Sequence, residues 1–172
     1  PLKDAIIDPL EAFQVGTLVQ KSYAVEPNIP ASKVKKFFKA GNPIYSVVVV
    51  ENDKPIGLIM NIHLDRMLSH QFGYSLYRDK PIRKIMDSDP LIVESEVPIE
   101  EAVNLAMDRK QEKIYDHMII TRKGKLLGVV TVRKMLQKMN QLTTERAFKL
   151  ERAYKNLQKA LDKVRTLSGL LP

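Results

Sequence analysis

The 172-residue sequence contains no cysteine. Disulfides and thiolate metal sites are therefore excluded, and a reducing compartment is the simpler setting. No apolar run approaches the roughly eighteen residues that a membrane span needs, and no signal peptide is visible. The three histidines, His63, His70 and His117, have no local metal-ligand spacing. Paired carboxylates at acid–base spacing, a nucleophile with a base and orienter, a Walker loop and an HExxH motif are all missing. Nothing points to an enzyme, and the chain is expected to be cytoplasmic. It begins with Pro1 rather than Met, which reads as a fragment of a longer protein.

What is present is one unit written twice. Val25-Glu26 and Pro30 recur as Val93-Glu94 and Pro98, an offset of 68. Ser46–Val50, a turn and Ile56–Met60 recur as His117–Thr121, a turn and Leu127–Thr131, at an offset of 71. Two copies are too few for a solenoid, which needs about three or more. They fit two half-domains that complete each other, with clefts between them.

Within each copy the apolar period changes from two to about three and a half and back. Ser22–Val25 and Leu91–Val93 read as short strands. Pro30 and Pro98 mark helix starts, where a missing N–H costs nothing. Val34, Phe37 and Phe38 then form one apolar helical face, and Ala102-Val103 with Ala106-Met107 form the other. Two β-branched runs follow in each copy, joined by the polar turns Asn52–Pro55 and Arg122–Lys125, which are hairpin signals. A second helix closes each copy, near Leu64–His70 and Val132–Met139. One copy alone would leave a sheet face uncovered, so the two must pack together.

This β-α-β-β-α order in tandem resembles a pair of CBS domains, a Bateman module. Gly128-Val129-Val130-Thr131 is similar to the family's Gly-hydrophobic-hydrophobic-Thr turn, and Gly57-Leu58-Ile59-Met60 matches it except at the last position. The resemblance implies an α+β fold of two repeats packed pseudo-symmetrically. Its parts are a lead-in at 1–14, a first repeat at 15–72, a connector at 73–80, a second repeat at 81–140 and a coiled-coil linker at 141–172. Phe72–Tyr77 and the following Arg78–Met86 resemble the connector in CBS pairs of bacterial multidomain signalling proteins.

The same resemblance implies an adenine nucleotide (AMP- or ATP-like) or an adenosyl compound as ligand in one or both clefts, with no required cofactor. The family places a hydroxyl three residues after the glycine for phosphate, and an Asp three further on for the ribose. Those positions are Met60 and His63 in the first copy, and Thr131 and Lys134 in the second. Neither copy has the Asp. A hydrogen bond to a charged group contributes roughly 1.5–3 kcal/mol, so its loss weakens nucleoside binding about ten- to a hundredfold. The second copy keeps a hydroxyl and gains a cation, with Lys134 available as a phosphate point charge. The alternative is that Thr131 is a strand-end hydroxyl and Lys134 a solvated helix residue. His63 is either a rim contact or a surface histidine, and His117 either lines the cleft or is a hydrogen-bonded strand residue. Asp65 is out of register for the ribose role. Val47–Val50 are core residues that would contribute cleft walls.

Between Arg133 and Arg165 stand ten Lys or Arg and three Asp or Glu, accounting for seven of the net charge of +8. A basic excess invites a nucleic-acid reading, but charges along one helix ordinarily form a solvated face. Only Phe148 and Tyr154 are there to stack on bases, so nucleic acid is not an expected partner. No Gly or Pro interrupts 136–168, and the second copy's last helix is expected to continue to about Leu167. Ala147, Tyr154 and Leu161 at a, with Leu150, Leu157 and Val164 at d, make a seam of period 3.5. The expected assembly is a parallel homodimer through this helix and the CBS faces, with Arg146 of one chain facing Glu151 of the other. The closing Leu167–Pro172 resembles the junction before an output domain. Two readings result: a regulatory sensor that signals through a dimeric coil, and a ligand-free dimerisation and spacing module with degenerate nucleotide sites.

Overall fold

The computed structural model describes residues 11–39, 41 and 43–169. The first ten residues of the expected lead-in, and the last three of the expected junction, lie outside the described residues. The chain divides into two compact units, one ending at Met135 and the other beginning at Leu136.

The first unit holds two three-stranded sheets of the same design. In the first repeat, β1 (Tyr23–Val25) lies parallel to β2 (Ser46–Glu51), which pairs antiparallel with β3 (Lys54–Met60). In the second, β4 (Ile92–Glu94), β5 (Met118–Arg122) and β6 (Lys125–Val130) repeat that order. The crossover helices are α1 (Ala31–Lys39) and α4 (Ile99–Met107), each preceded immediately by its proline. Helix α2 (Asn61–Ser69) closes the first repeat, and a short α3 (Gly73–Tyr77) lies in the connector.

The local chemistry explains the strands. Val47, Val48 and Val49 are fully buried, as are Ile119 and Ile120, and β-branched residues suit a pleated, packed surface. Both hairpins turn on two residues with positive φ, Asn52-Asp53 and Lys123-Gly124. This is the geometry that matches strand twist. Each hairpin carries a register shift at the same place, after Val49 and after Ile120. Glu94 secures the second turn: its Oε1 accepts from the Thr121 hydroxyl and the Gly124 N–H, and its Oε2 from the Lys123 N–H, all at 2.9 Å. Phe37 and Met107, expected on buried helical faces, are instead exposed, because each helix buries a narrower stripe: Ala31 and Val34 in α1, and Ile99, Ala102 and Ala106 in α4.

What binds the repeats together is an exchange of lead-in segments. The stretch before β1 hydrogen-bonds to the second repeat, through Val15 N–H to Val97 O at 2.8 Å and Gly16 N–H to Ser95 O at 2.9 Å. The stretch before β4 returns the exchange, through Ile82 N–H to Ile29 O at 2.8 Å and Arg83 N–H to Pro27 O at 2.9 Å. Val48, Leu58 and Met60 of the first repeat share one buried cluster with Ile119 and Val129 of the second.

Helix α5 (Val132–Ser168) runs 37 residues, about 56 Å at 1.5 Å per residue. In the second unit every described residue from Thr143 onward is exposed. The heptad residues Leu150, Tyr154, Leu157, Leu161 and Val164 are among them. Within this unit Glu151 pairs with Lys155 at 3.3 Å, one turn along the same helix.

Candidate functional site

Each repeat's glycine sits where the other repeat's lead-in crosses its last strand. Residues Leu58 and Asp87 exchange two backbone hydrogen bonds at 3.0 Å, and Gln20 and Val129 exchange two at 2.8 and 3.0 Å. A Cβ on Gly57 would fall inside contact distance of the Met86 side chain, and one on Gly128 inside that of the Gln20 carbonyl oxygen. The expected site residues Gly57 and Gly128 therefore serve close backbone approach.

The first cleft opens into a cavity of about 290 Å³. One wall is the end of β3 and the start of α2, with Leu58, Met60, His63 and Met67. The opposite wall comes from the crossing segment, with Met86 and Asp87, and from the loop before β5, with Lys113 and Asp116. Three methionines in one cavity give a polarizable, adaptable lining suited to a flat aromatic ring. Val47, Val48 and Val49 of β2 are core, as expected, Val50 is only partly buried, and the wall itself is built by β3.

Two charged pairs line this cavity, one within the second wall and one joining the two walls. Lys113 Nζ meets Asp87 Oδ1 at 2.8 Å and the Asp89 carbonyl at 3.2 Å. His63 Nε2 lies 2.7 Å from Asp116 Oδ1, and since an ionised carboxylate only accepts, Nε2 carries the proton. The Asp116 side chain is only 7% exposed. Behind it Arg109 donates to the carbonyls of Ala106 at 3.0 Å and Ile114 at 3.1 Å, shaping the loop. Asp65 faces away from this role and pairs with Lys35 of α1.

The second cleft holds a smaller cavity of about 100 Å³, lined by Gln20, Tyr45, Ser46, His117 and Val129 among others. Neither Thr131 nor Lys134 is among its described lining residues. The Thr131 hydroxyl accepts the Lys134 backbone N–H at 3.1 Å, as a helix cap does. At the offset of 71 the counterparts of Asp116 and His63 are Tyr45 and Lys134, so the buried acid–histidine pair belongs to the first cleft alone. His117 Nδ1 lies 2.7 Å from Ser46 Oγ, and 46 and 117 are themselves equivalent positions. The His117 N–H also meets Met60 Sδ at 3.5 Å.

Burial pushes the His117 pKa below the ordinary histidine value; Asp116 opposes the shift and Arg109 adds to it. Because the folded-state value is the lower one, the unfolded chain takes up the proton first as pH falls below about 6.5. The stabilisation is complete above that pH and is lost as pH falls through it toward the folded-state value. Urea midpoints at pH 7.5 and 5.5 are expected to differ more for the native protein than for His117→Gln. Equal differences would remove His117 as the source.

Residues 82–140 match the CBS domain family, and the two repeats superpose as a unit on known structures. The fold is that of a CBS pair. The CBS-pair protein CBSX2 from Arabidopsis thaliana matches with a TM-score of 0.62 at 17% identity, over 77% of this chain and 97% of that one. A CBS domain-containing protein from Thermotoga maritima matches at 0.59 and 25% identity, over 74% and 94%. The cytosolic domain of the Mg2+ channel MgtE, solved with ATP, matches at 0.57 and 20% identity, over 72% of this chain and 48% of that one. CBSX2 has also been solved in complex with AMP, matching at 0.60 and 18% identity over 76% and 98%. No match was found among curated proteins. Among the described residues, this CBS pair has no helix long and apolar enough to cross a membrane.

The sequence pointed to Met60 and His63, and the CBS pair places both in the larger cavity. Asp116, Lys113, Asp87, Met67 and Met86 were not anticipated. The first three have no counterpart in the turn motif: the exchange of segments brings Asp87 to β3, and the packing of the two repeats brings the loop before β5 with Lys113 and Asp116.

Proposed function

We propose that this CBS pair is a regulatory module that binds an adenine nucleotide or adenosyl ligand in its first cleft. The observation that carries the reading is a cavity walled by both repeats, whose volume of about 290 Å³ falls just short of the roughly 300–1,000 Å³ typical of small-molecule sites. AMP and ATP in the related structures support the ligand class. A ligand held by both walls stabilises one arrangement of the repeats over others, by as much as its affinities for them differ. Helix α5 begins directly after the Gly128–Thr131 turn, and we infer that it carries that bias to a C-terminal output domain through a parallel homodimer.

Isothermal titration with adenosine, AMP and ATP tests the binding reading. Saturable binding of at least one is expected, weakened tenfold or more by Met67→Trp, which fills the first cavity. Silence across the panel would favour the second reading, a dimerisation and spacing module. The observation behind that alternative is the exposed heptad stripe of α5.

A further inference from the structure

We propose that Asp116, supplied by the second repeat, is the carboxylate that grips a vicinal diol in the first cleft, and that this cleft therefore selects a ribonucleoside of low charge over a nucleoside polyphosphate. The inference rests on the nucleotide-binding reading above and narrows its ligand.

The first observation is the state of Asp116. Its side chain is more than nine-tenths buried and lines the cavity. One oxygen accepts from His63, and the other has no hydrogen-bond partner among the described residues. A buried carboxylate is costly unless donors surround it, and as an acceptor-only group it calls for a ligand that donates. Two adjacent hydroxyls do so in one contact. Position 63, where a carboxylate is missing, holds the histidine that orients this one from across the cleft. Here His63 is a positioning residue.

The second observation is the balance of charge. Lys113 is the sole Lys or Arg among the described lining residues, and its ammonium is committed to Asp87 and the Asp89 carbonyl. Arg109, outside the described lining, donates to two backbone carbonyls and interacts electrostatically with Asp116 and Asp87 behind the wall. Glu112 adds a further negative charge to the lining. A triphosphate would meet three lining carboxylates, Asp87, Glu112 and Asp116, against one lining Lys or Arg that is already paired with Asp87. An uncharged nucleoside, or one carrying a positive charge, would not pay that repulsion.

Titrations of adenosine, 2′-deoxyadenosine and ATP into the native protein, and of adenosine into Asp116→Asn and His63→Gln, decide the matter. Adenosine is expected to bind about ten- to a hundredfold more tightly than 2′-deoxyadenosine, and ATP no more tightly than adenosine. Asp116→Asn is expected to lose the distinction between the two nucleosides. His63→Gln, which can still donate to Asp116, is expected to keep it. Equal affinity for both nucleosides, or ATP bound tenfold more tightly than adenosine, overturns the inference and leaves the nucleotide reading standing. Failure of all three ligands to bind overturns both. The nucleoside comparison uses the unaltered protein, so it decides even if Asp116→Asn does not fold.

Discussion

Gly128→Ala is expected to destabilise the CBS pair by about 3 kcal/mol, against about 1 kcal/mol for Gly57→Ala. The two glycines are equivalent in sequence but face different neighbours. At Gly128 the new methyl meets the Gln20 carbonyl oxygen and the Val19 side chain. The carbonyl belongs to backbone held by the paired Gln20–Val129 hydrogen bonds. Overpacking costs about 1–3 kcal/mol, and displacing this segment also weakens bonds worth about 0.5–1.5 kcal/mol each. At Gly57 the foremost obstacle is the Met86 thioether, the far end of a flexible side chain, with the Asp87 carbonyl behind it at 3.0 Å.

Thermal melts of the two variants make the comparison directly. A loss near 3 kcal/mol corresponds to roughly 6–12 °C for a chain of this size. Gly57→Ala should melt only a few degrees early, yet it pushes Met86 into the first cavity and so should weaken adenosine binding more than Gly128→Ala weakens it at a temperature where both are folded. Equal melting of the two variants would mean that the crossing at Gln20 is not rigid.

Leu157→Asp is expected to convert a dimer to a monomer, the largest change of state foreseen for any single residue here. Leu157 is 57% exposed in the chain. Leu150, Tyr154, Leu161 and Val164 continue the same exposed stripe at alternating spacings of four and three, the spacing that a left-handed coiled coil would need for its seam. Burying one leucine contributes about 1.5–3 kcal/mol per chain, counted twice in a symmetric pair, and a buried unpaired carboxylate adds a further penalty. Helix propensity alone does not hold a helix this polar in water; most helical stability comes from packing an apolar face. Helical circular dichroism should therefore fall along with the mass measured by light scattering. Lys163→Glu, at an outer c position, is the control and should leave the mass unchanged. A native protein that is already monomeric sinks the coil. A dimer that survives Leu157→Asp moves the contact to the CBS faces. The Glu151–Lys155 pair, both partners well exposed, is worth at most a few tenths of a kcal/mol and is not expected to decide the outcome.

The order of elements was legible in the chain itself. β-Branched runs such as Ser46–Val50, positive-φ turn residues such as Lys123-Gly124 and the prolines before each crossover helix are local signals. Local signals survive without tertiary knowledge because each is set by neighbours within a few residues. The duplication extended that reading to the pairing of halves, since neither repeat buries enough surface alone. The long α5 was equally plain from the absence of breakers between 136 and 168.

The site was only half legible. Met60 and His63 came from a motif within one repeat, and motifs register what is close in sequence. Asp116 and Lys113 belong to the loop before β5, about fifty residues away, and no spacing rule links them to β3. Sequence alone determined that this chain makes two matching half-domains and a helix with a heptad stripe, and the CBS resemblance added that positions 63 and 134 lack the aspartate it implies for a ribose. Tertiary structure decided which cleft has room, that a carboxylate enters it from the opposite repeat, and that the glycines are reserved for crossing backbones. The reason is physical: the lead-in segments are exchanged, so each cleft is built from residues of both repeats, and their proximity arises only when the sheets close on each other.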